Sequence, residues 1–150
     1  MESIFITKSS SQTKKLGESF AKKILRSKLP QKAFVLALVG DLGGGKTTFV
    51  QGFAKGLGIR EKILSPTFVL MKKFSIPSRT FIHIDCYRIK KPKELLDLEF
   101  GKISSNSKNI IAIEWADKIK KIIPKGSTIL KFEFINKETR KIVIELKNGK

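Results

Sequence analysis

The 150-residue chain contains one cysteine, Cys86. A lone thiol excludes an internal disulfide and any multi-cysteine zinc site, and it fits a cytoplasmic setting. No apolar run approaches the ~18 residues that cross a bilayer. Met1-Glu2-Ser3-Ile4-Phe5 has no basic stretch ahead of an apolar one, so neither a membrane anchor nor a signal peptide is expected. Acids are scarce: 13 stand against 31 Lys and Arg, a net charge of +18 that suggests an anionic partner, nucleic acid first. Arginine is scarce too. Arg26, Arg60, Arg79, Arg88 and Arg140 are outnumbered by 26 lysines. Dedicated phosphate readers favour the bidentate arginine fork, and an A- and T-rich genome produces the same lysine excess, so nucleic acid is expected only as an accessory contact. What remains is ordinary for a globular protein, with 41% hydrophobic residues and enough length for one core. A single domain over 1–150 is expected.

The informative stretch is Gly40-Asp41-Leu42-Gly43-Gly44-Gly45-Lys46-Thr47. It matches Gly, four residues, then Gly-Lys-Ser/Thr, the loop that cradles phosphates. Glycines let successive backbone N–H groups turn inward around anionic oxygens, and the helix that follows adds the positive end of its dipole. Lys46 is placed to reach β- and γ-phosphates, and the Thr47 hydroxyl to sit on Mg²⁺. The flanks agree. Ala33 to Val39 is a near-continuous apolar run, as in a strand buried on both faces. After the loop, Phe49, Val50, Phe53, Ala54 and Leu57 recur at helical spacing, with Gly58 as a natural end.

Around this unit the pattern predicts a short strand at Ser3–Thr7 and a helix capped from Ser9-Ser10-Ser11 that runs to about Lys28. Phe68–Phe74 and Thr80–Asp85 read as a hairpin around Ile76-Pro77-Ser78. A short helix begins at Pro92, and Gly101–Asn109 reads as a polar loop. Ile110–Trp115 reads as a strand, Ala116–Ile122 as a brief helix, and Thr128–Ile135 with Thr139–Leu146 as a C-terminal hairpin. The fold class is α/β: a phosphate-loop mixed sheet flanked by helices, parallel near the loop and antiparallel at its edges.

A phosphate loop needs a carboxylate near Mg²⁺ at the carboxyl end of a neighbouring strand. Asp85 and Glu114 both follow apolar strands. Either can hold the ion, hold a metal-bound water, or orient the attacking water. Ser65-Pro66-Thr67 offers a hydroxyl to sense a γ-phosphate. His83 alternates with apolar neighbours and reads as a packed strand residue, and Cys86 as an inert thiol. Trp115 either shields the site or fills core volume. No arginine finger is identifiable, although Arg88 follows Asp85 closely. Asn136-Lys137-Glu138-Thr139 nears the guanine-reading Asn-Lys-x-Asp pattern, but it lacks the acid and falls in a hairpin turn. Hydrolysis of a nucleoside triphosphate is the leading chemistry, with a small-molecule kinase as the alternative; the kinase lacks an arginine-bearing lid.

These pieces, in this order, resemble the TsaE family, ATPases of bacterial tRNA threonylcarbamoyladenosine synthesis. The resemblance rests on Gly40–Phe49, Gly52, Gly56-Leu57-Gly58, Ser65-Pro66-Thr67-Phe68, His83–Arg88, Pro92–Leu95 and Ile113-Glu114-Trp115. Gln12-Thr13 and Leu16-Gly17 are similar to the family's first helix. The resemblance implies ATP and Mg²⁺ as ligands. It implies nucleotide contacts from Thr13 and from Asp41, Leu42, Gly43, Gly44, Gly45, Lys46, Thr47 and Thr48. Thr47 and Glu114 go to the ion, Asp85 is a second essential acid that also belongs to the metal set, and Lys46, Asp85 and Glu114 form the catalytic group. It also implies partners: a threonylcarbamoyl-transferase subunit and its paralogous dimerisation subunit, acting on adenosine 37 of tRNA.

Overall fold

The structure, a computed structural model, describes residues 2–41, 43–64 and 70–146. Leu42, the Ser65-Pro66-Thr67 segment and the expected start of the third strand lie outside the described residues. Strand β1 (Glu2–Thr7) leads to helix α1 (Ser10–Arg26), β2 (Phe34–Gly40) and α2 (Lys46–Gly56). Then follow β3 (Met71–Ile76), β4 (Arg79–Asp85), α3 (Lys93–Leu96), α4 (Phe100–Ser105) and β5 (Asn109–Glu114). A 3₁₀ segment, Ala116–Ile122, precedes β6 (Thr128–Phe134) and β7 (Arg140–Leu146). Among the described residues the strands form one seven-stranded sheet in the order β1-β7-β6-β2-β5-β4-β3. Strands β6, β2, β5 and β4 pair in parallel, while β1, β7 and β3 add antiparallel edges. The expected mixed α/β architecture is therefore the observed one.

Period-2 alternation splits the core between the two faces. In β5, Ile110 and Ala112 pack with Phe49, Val50 and Phe53 of α2 and with Ala21 and Ile24 of α1. Ile111 and Ile113 face the other way, toward Leu95, Phe100, Ala116 and Ile119. Phe49 and Phe53 are wholly buried, each contributing about 3 kcal/mol of burial. Helix α1 begins at the Ser9 side chain, which accepts from Gln12 N–H, and ends two residues before the expected Lys28. There the Ser27 hydroxyl turns back to the Lys23 carbonyl at 2.8 Å and its backbone is extended. Helices α1 and α2 touch closely. A Cβ on Gly52 would lie 2.0 Å from the Lys14 carbonyl oxygen, so no larger residue fits that crossing.

One expectation fails. Gly101–Asn109 is not a loop throughout, because α4 covers Phe100–Ser105. Its serines suggested irregular chain, yet the Ser104 and Ser105 hydroxyls donate to the Gly101 carbonyl at 3.2 and 2.7 Å, folding their polarity back into the helix. Phe100 and Ile103 supply the apolar side that packs on the sheet.

Candidate functional site

The phosphate-type loop joins the end of β2 to the start of α2, and its shape follows from its residues. Gly40 takes φ 124°, and a Cβ there would strike the Phe132 carbonyl oxygen of β6 at 2.1 Å. Gly44 N–H donates to the Asp41 carbonyl at 3.0 Å, closing the turn. Gly45 enters α2 in the left-handed region; no side chain caps the helix and no acid stands in its first turn. Its first N–H groups thus border a cavity of about 560 Å³, a size typical of small-molecule sites. Among the described lining residues, Lys8, Lys46, Lys137 and Arg140 outnumber Glu114 and Glu138, which suits an anionic ligand.

Of the residues expected to contact nucleotide, Thr13, Gly43, Gly44, Gly45, Lys46, Thr47 and Thr48 line this cavity. Thr13 is buried, its hydroxyl 2.7 Å from that of Thr7. Asp41 does not line the cavity. Its carboxylate accepts the Phe134 N–H at 3.3 Å, which ties the loop to β6. Leu42 is outside the described residues.

Lys46 is buried, and Nζ donates to the carbonyls of Gly40 and Asp41, both at 2.8 Å. Burial lowers its pKa from the usual lysine value, opposed by the charges of Glu114, Asp117, Asp41 and Asp85. Nζ also sits 4.1 Å from the centre of the Trp115 ring. Trp115 itself holds a left-handed backbone, φ 57°, costing an ordinary residue about 1 kcal/mol. It lines the cavity, packs on Tyr87 and borders the apolar layer beneath the sheet.

Glu114 ends β5 at 2% exposure and is held from two sides. The Thr47 hydroxyl donates to Oε1 at 2.7 Å. His83 Nε2 lies 2.6 Å from Oε2. Asp85 stands directly opposite Glu114 in the β4–β5 register, but it is not among the cavity-lining residues. Its Oδ1 accepts the Tyr87 N–H at 2.9 Å. Among the described residues no cluster of three or more His, Cys, Asp and Glu could hold a metal ion. Thr47 with Glu114 is a sparser donor pair, one that could hold magnesium only alongside phosphate oxygens.

Sequence reasoning missed Arg140. Its Nε donates to the Gly43 carbonyl at 2.8 Å, and its Cζ lies 4.5 Å from the Phe134 ring centre. Lys137 and Glu138, set aside as a hairpin turn, line the same cavity. The hairpin was legible, but its docking was not. Parallel pairing of β6 on β2 sets Phe132 opposite Gly40, and this brings the β6–β7 turn to the loop. His83 is packed as expected, at 1% exposure, and also touches Glu114. Cys86 is buried, and burial, with the nearby Asp85 charge, pushes its thiol up to about 12.

The sequence profile described as "Threonylcarbamoyl adenosine biosynthesis protein TsaE" matches residues 7–142. Curated relatives bear the description tRNA threonylcarbamoyladenosine biosynthesis protein TsaE. The one from Haemophilus influenzae is 34% identical over 122 residues, 80% of this chain and 75% of that protein. The one from Rickettsia prowazekii is 37% identical over 112 residues, 74% and 75% of the two chains. The Bacillus subtilis relative is 40% identical over 90 residues, 60% of this chain and 55% of that one. The crystal structure of Bacillus subtilis YdiB superposes with a TM-score of 0.76 at 25% identity, covering 99% of this chain and 88% of that one. With a profile match across nearly the whole chain and a shared fold, the protein belongs to the TsaE family of tRNA threonylcarbamoyladenosine biosynthesis.

Proposed function

We propose that this protein is an Mg²⁺-dependent ATPase of one domain that serves threonylcarbamoylation of tRNA adenosine 37. The observation that carries the reading is the Thr47–Glu114 hydrogen bond at the head of α2. It joins the loop hydroxyl to the acid of a neighbouring parallel strand, the pairing a metal–triphosphate centre requires. A magnesium ion held by Thr47 and Glu114 would supply neutralisation of the triphosphate charge. The chain does the positioning. Backbone N–H groups of Gly43 to Thr48 bind phosphate oxygens, and Lys46 exchanges its two carbonyl partners for them. Thr47 and Glu114 stand where they would hold the ion. Asp85, opposite Glu114 in the strand register, would orient the attacking water or a water on the ion. Trp115 keeps bulk water from the Lys46 ammonium.

Turnover by the protein alone is slow. Arg140, the one arginine among the described residues that line the cavity, already donates to the Gly43 carbonyl and, through Nη1, to that of Asn136 at 2.6 Å. Activation comes from the partners, a threonylcarbamoyl-transferase subunit and its paralogous dimerisation subunit. Transfer of the group belongs to them. tRNA is met indirectly or as an accessory contact, the latter supported by the groove where, among the described residues, Lys14, Lys55, Arg60 and Lys62 gather against the single acid Glu61. Work on tRNA places the protein in the cytoplasm; among the described residues no helix is long and apolar enough to cross a membrane.

The test is reconstitution of tRNA modification with purified partners. Wild type is expected to support many turnovers, while Lys46→Ala and Glu114→Ala support none beyond the first. Full multiple-turnover modification by both variants would contradict the ATPase role.

A further inference from the structure

His83 has no part in the scheme above, yet it is a fully enclosed polar side chain beside the site. It lies on β4 two residues before Asp85, so alternation puts it on the α2 face, the side on which Phe81 packs. Its partner across the β4–β5 ladder is Ala112. That methyl is too small to fill the space above the strand, so the imidazole can lean along the diagonal to the next same-face residue, Glu114. Nε2 ends 2.6 Å from Oε2, with exposures of 1% and 2%. A carboxylate accepts, so the ring donates through Nε2–H. The other carboxylate oxygen takes the Thr47 hydroxyl at 2.7 Å. Glu114 is therefore pinned at both oxygens, and its plane cannot rotate without breaking a buried bond.

We infer that His83 is a positioning residue: it fixes the Glu114 carboxylate so that Oε1 stays aimed at the Thr47 hydroxyl and at the ion both residues would share. This rests on the Mg²⁺–nucleotide reading of the site. The effect is one of orientation. Outer partners of a metal-ligating group typically carry about 10–100-fold in metal affinity or activity. A histidine that only filled volume would give no such split between metal and nucleotide, since it does not line the cavity.

The experiment uses Mn²⁺ as the metal probe, its free fraction read by electron paramagnetic resonance in the presence of ATP. Fluorescent mant-ATP in EDTA reads metal-free nucleotide binding, and circular dichroism checks the fold. In His83→Leu, Mn²⁺ affinity in the ternary complex is expected to fall at least tenfold, while metal-free nucleotide affinity stays within about twofold. His83→Gln, whose amide N–H can reach the same oxygen, is expected to recover most of the loss. The inference is overturned if His83→Leu holds Mn²⁺ as wild type does. It is also overturned if metal-free binding falls as far as metal binding, or if His83→Gln is no better than His83→Leu. Loss of fold in His83→Leu leaves the decision to His83→Gln, which must hold Mn²⁺ within a few-fold of wild type. A wild-type protein that holds no Mn²⁺ with ATP would sink the nucleotide reading itself, and the positioning role with it.

Discussion

Ile113 and Glu114 are neighbours in β5 and equally hidden from solvent, at 0% and 2% exposure, yet they belong to different chemistries. Ile113 points into a layer built from Ile84, Leu95, Phe100, Ala116 and Ile119. Glu114 points to the α2 face, where His83 and Thr47 each occupy one of its oxygens. The same step occurs on β4, where Ile84 packs in the apolar layer and His83 reaches Glu114. One face of the strand ends can be filled by shape alone, because apolar burial is not directional. The other must satisfy every buried polar atom, and among the described residues no buried side-chain N or O atom lacks a partner. A sheet with parallel centre strands thus separates scaffold from site by a single residue of register.

That contrast can be broken from either side. The largest effect is expected from the scaffold. Ile113→Ala should cost about 2–5 kcal/mol in urea unfolding, yet leave ATP turnover per folded molecule within about twofold. A large loss of specific activity in the folded fraction would mean the two faces are not separable. Next comes the hairpin that closes the site. Arg140→Ala removes the Nε bond to Gly43, and nucleotide affinity is expected to fall about tenfold, near 1.4 kcal/mol, with the melting temperature little changed. Equal affinity in isothermal titration would show that the β6–β7 turn is only a neighbour.

The smallest effect concerns Cys86, buried among the apolar residues next to the polar pair. Its thiol is raised from an ordinary value near 9 to about 12 by burial. The folded state therefore favours the protonated form. This contribution to stability is whole below about pH 9 and declines as pH rises toward about 12. Alkylation by iodoacetamide at pH 8 should track global unfolding, and Cys86→Ala should not alter turnover. Fast labelling of folded protein would show that the layer opens.

Much of this division is written in the chain. The glycine loop, the apolar run into Gly40 and the acid ending β5 are local features, and local periodicity carries them. The order of the strands is also partly legible, since edges with polar alternation read as antiparallel. What local pattern does not carry is which non-adjacent strands pair. The parallel docking of β6 on β2 depends on a contact about 90 residues apart, between Gly40 and Phe132, and only it brings Arg140 to Gly43. His83 escaped for a related reason: one histidine between isoleucines reads as core until Ala112 is seen opposite it. The serines of α4 misled because turn-forming hydroxyls can equally fold back on their own helix.

The proposed ATPase requires Glu114 to act through charge and geometry on a metal-bound nucleotide, and Glu114→Gln tests that most directly. The amide keeps the shape and can still accept from Thr47, so the fold and metal-free mant-ATP binding should persist. ATP turnover measured against Mg²⁺ concentration in the presence of the partner subunits should fall at least about a hundredfold, or about 2.7 kcal/mol, at saturating metal. Turnover by Glu114→Gln at the wild-type rate, with the same Mg²⁺ dependence, would contradict it.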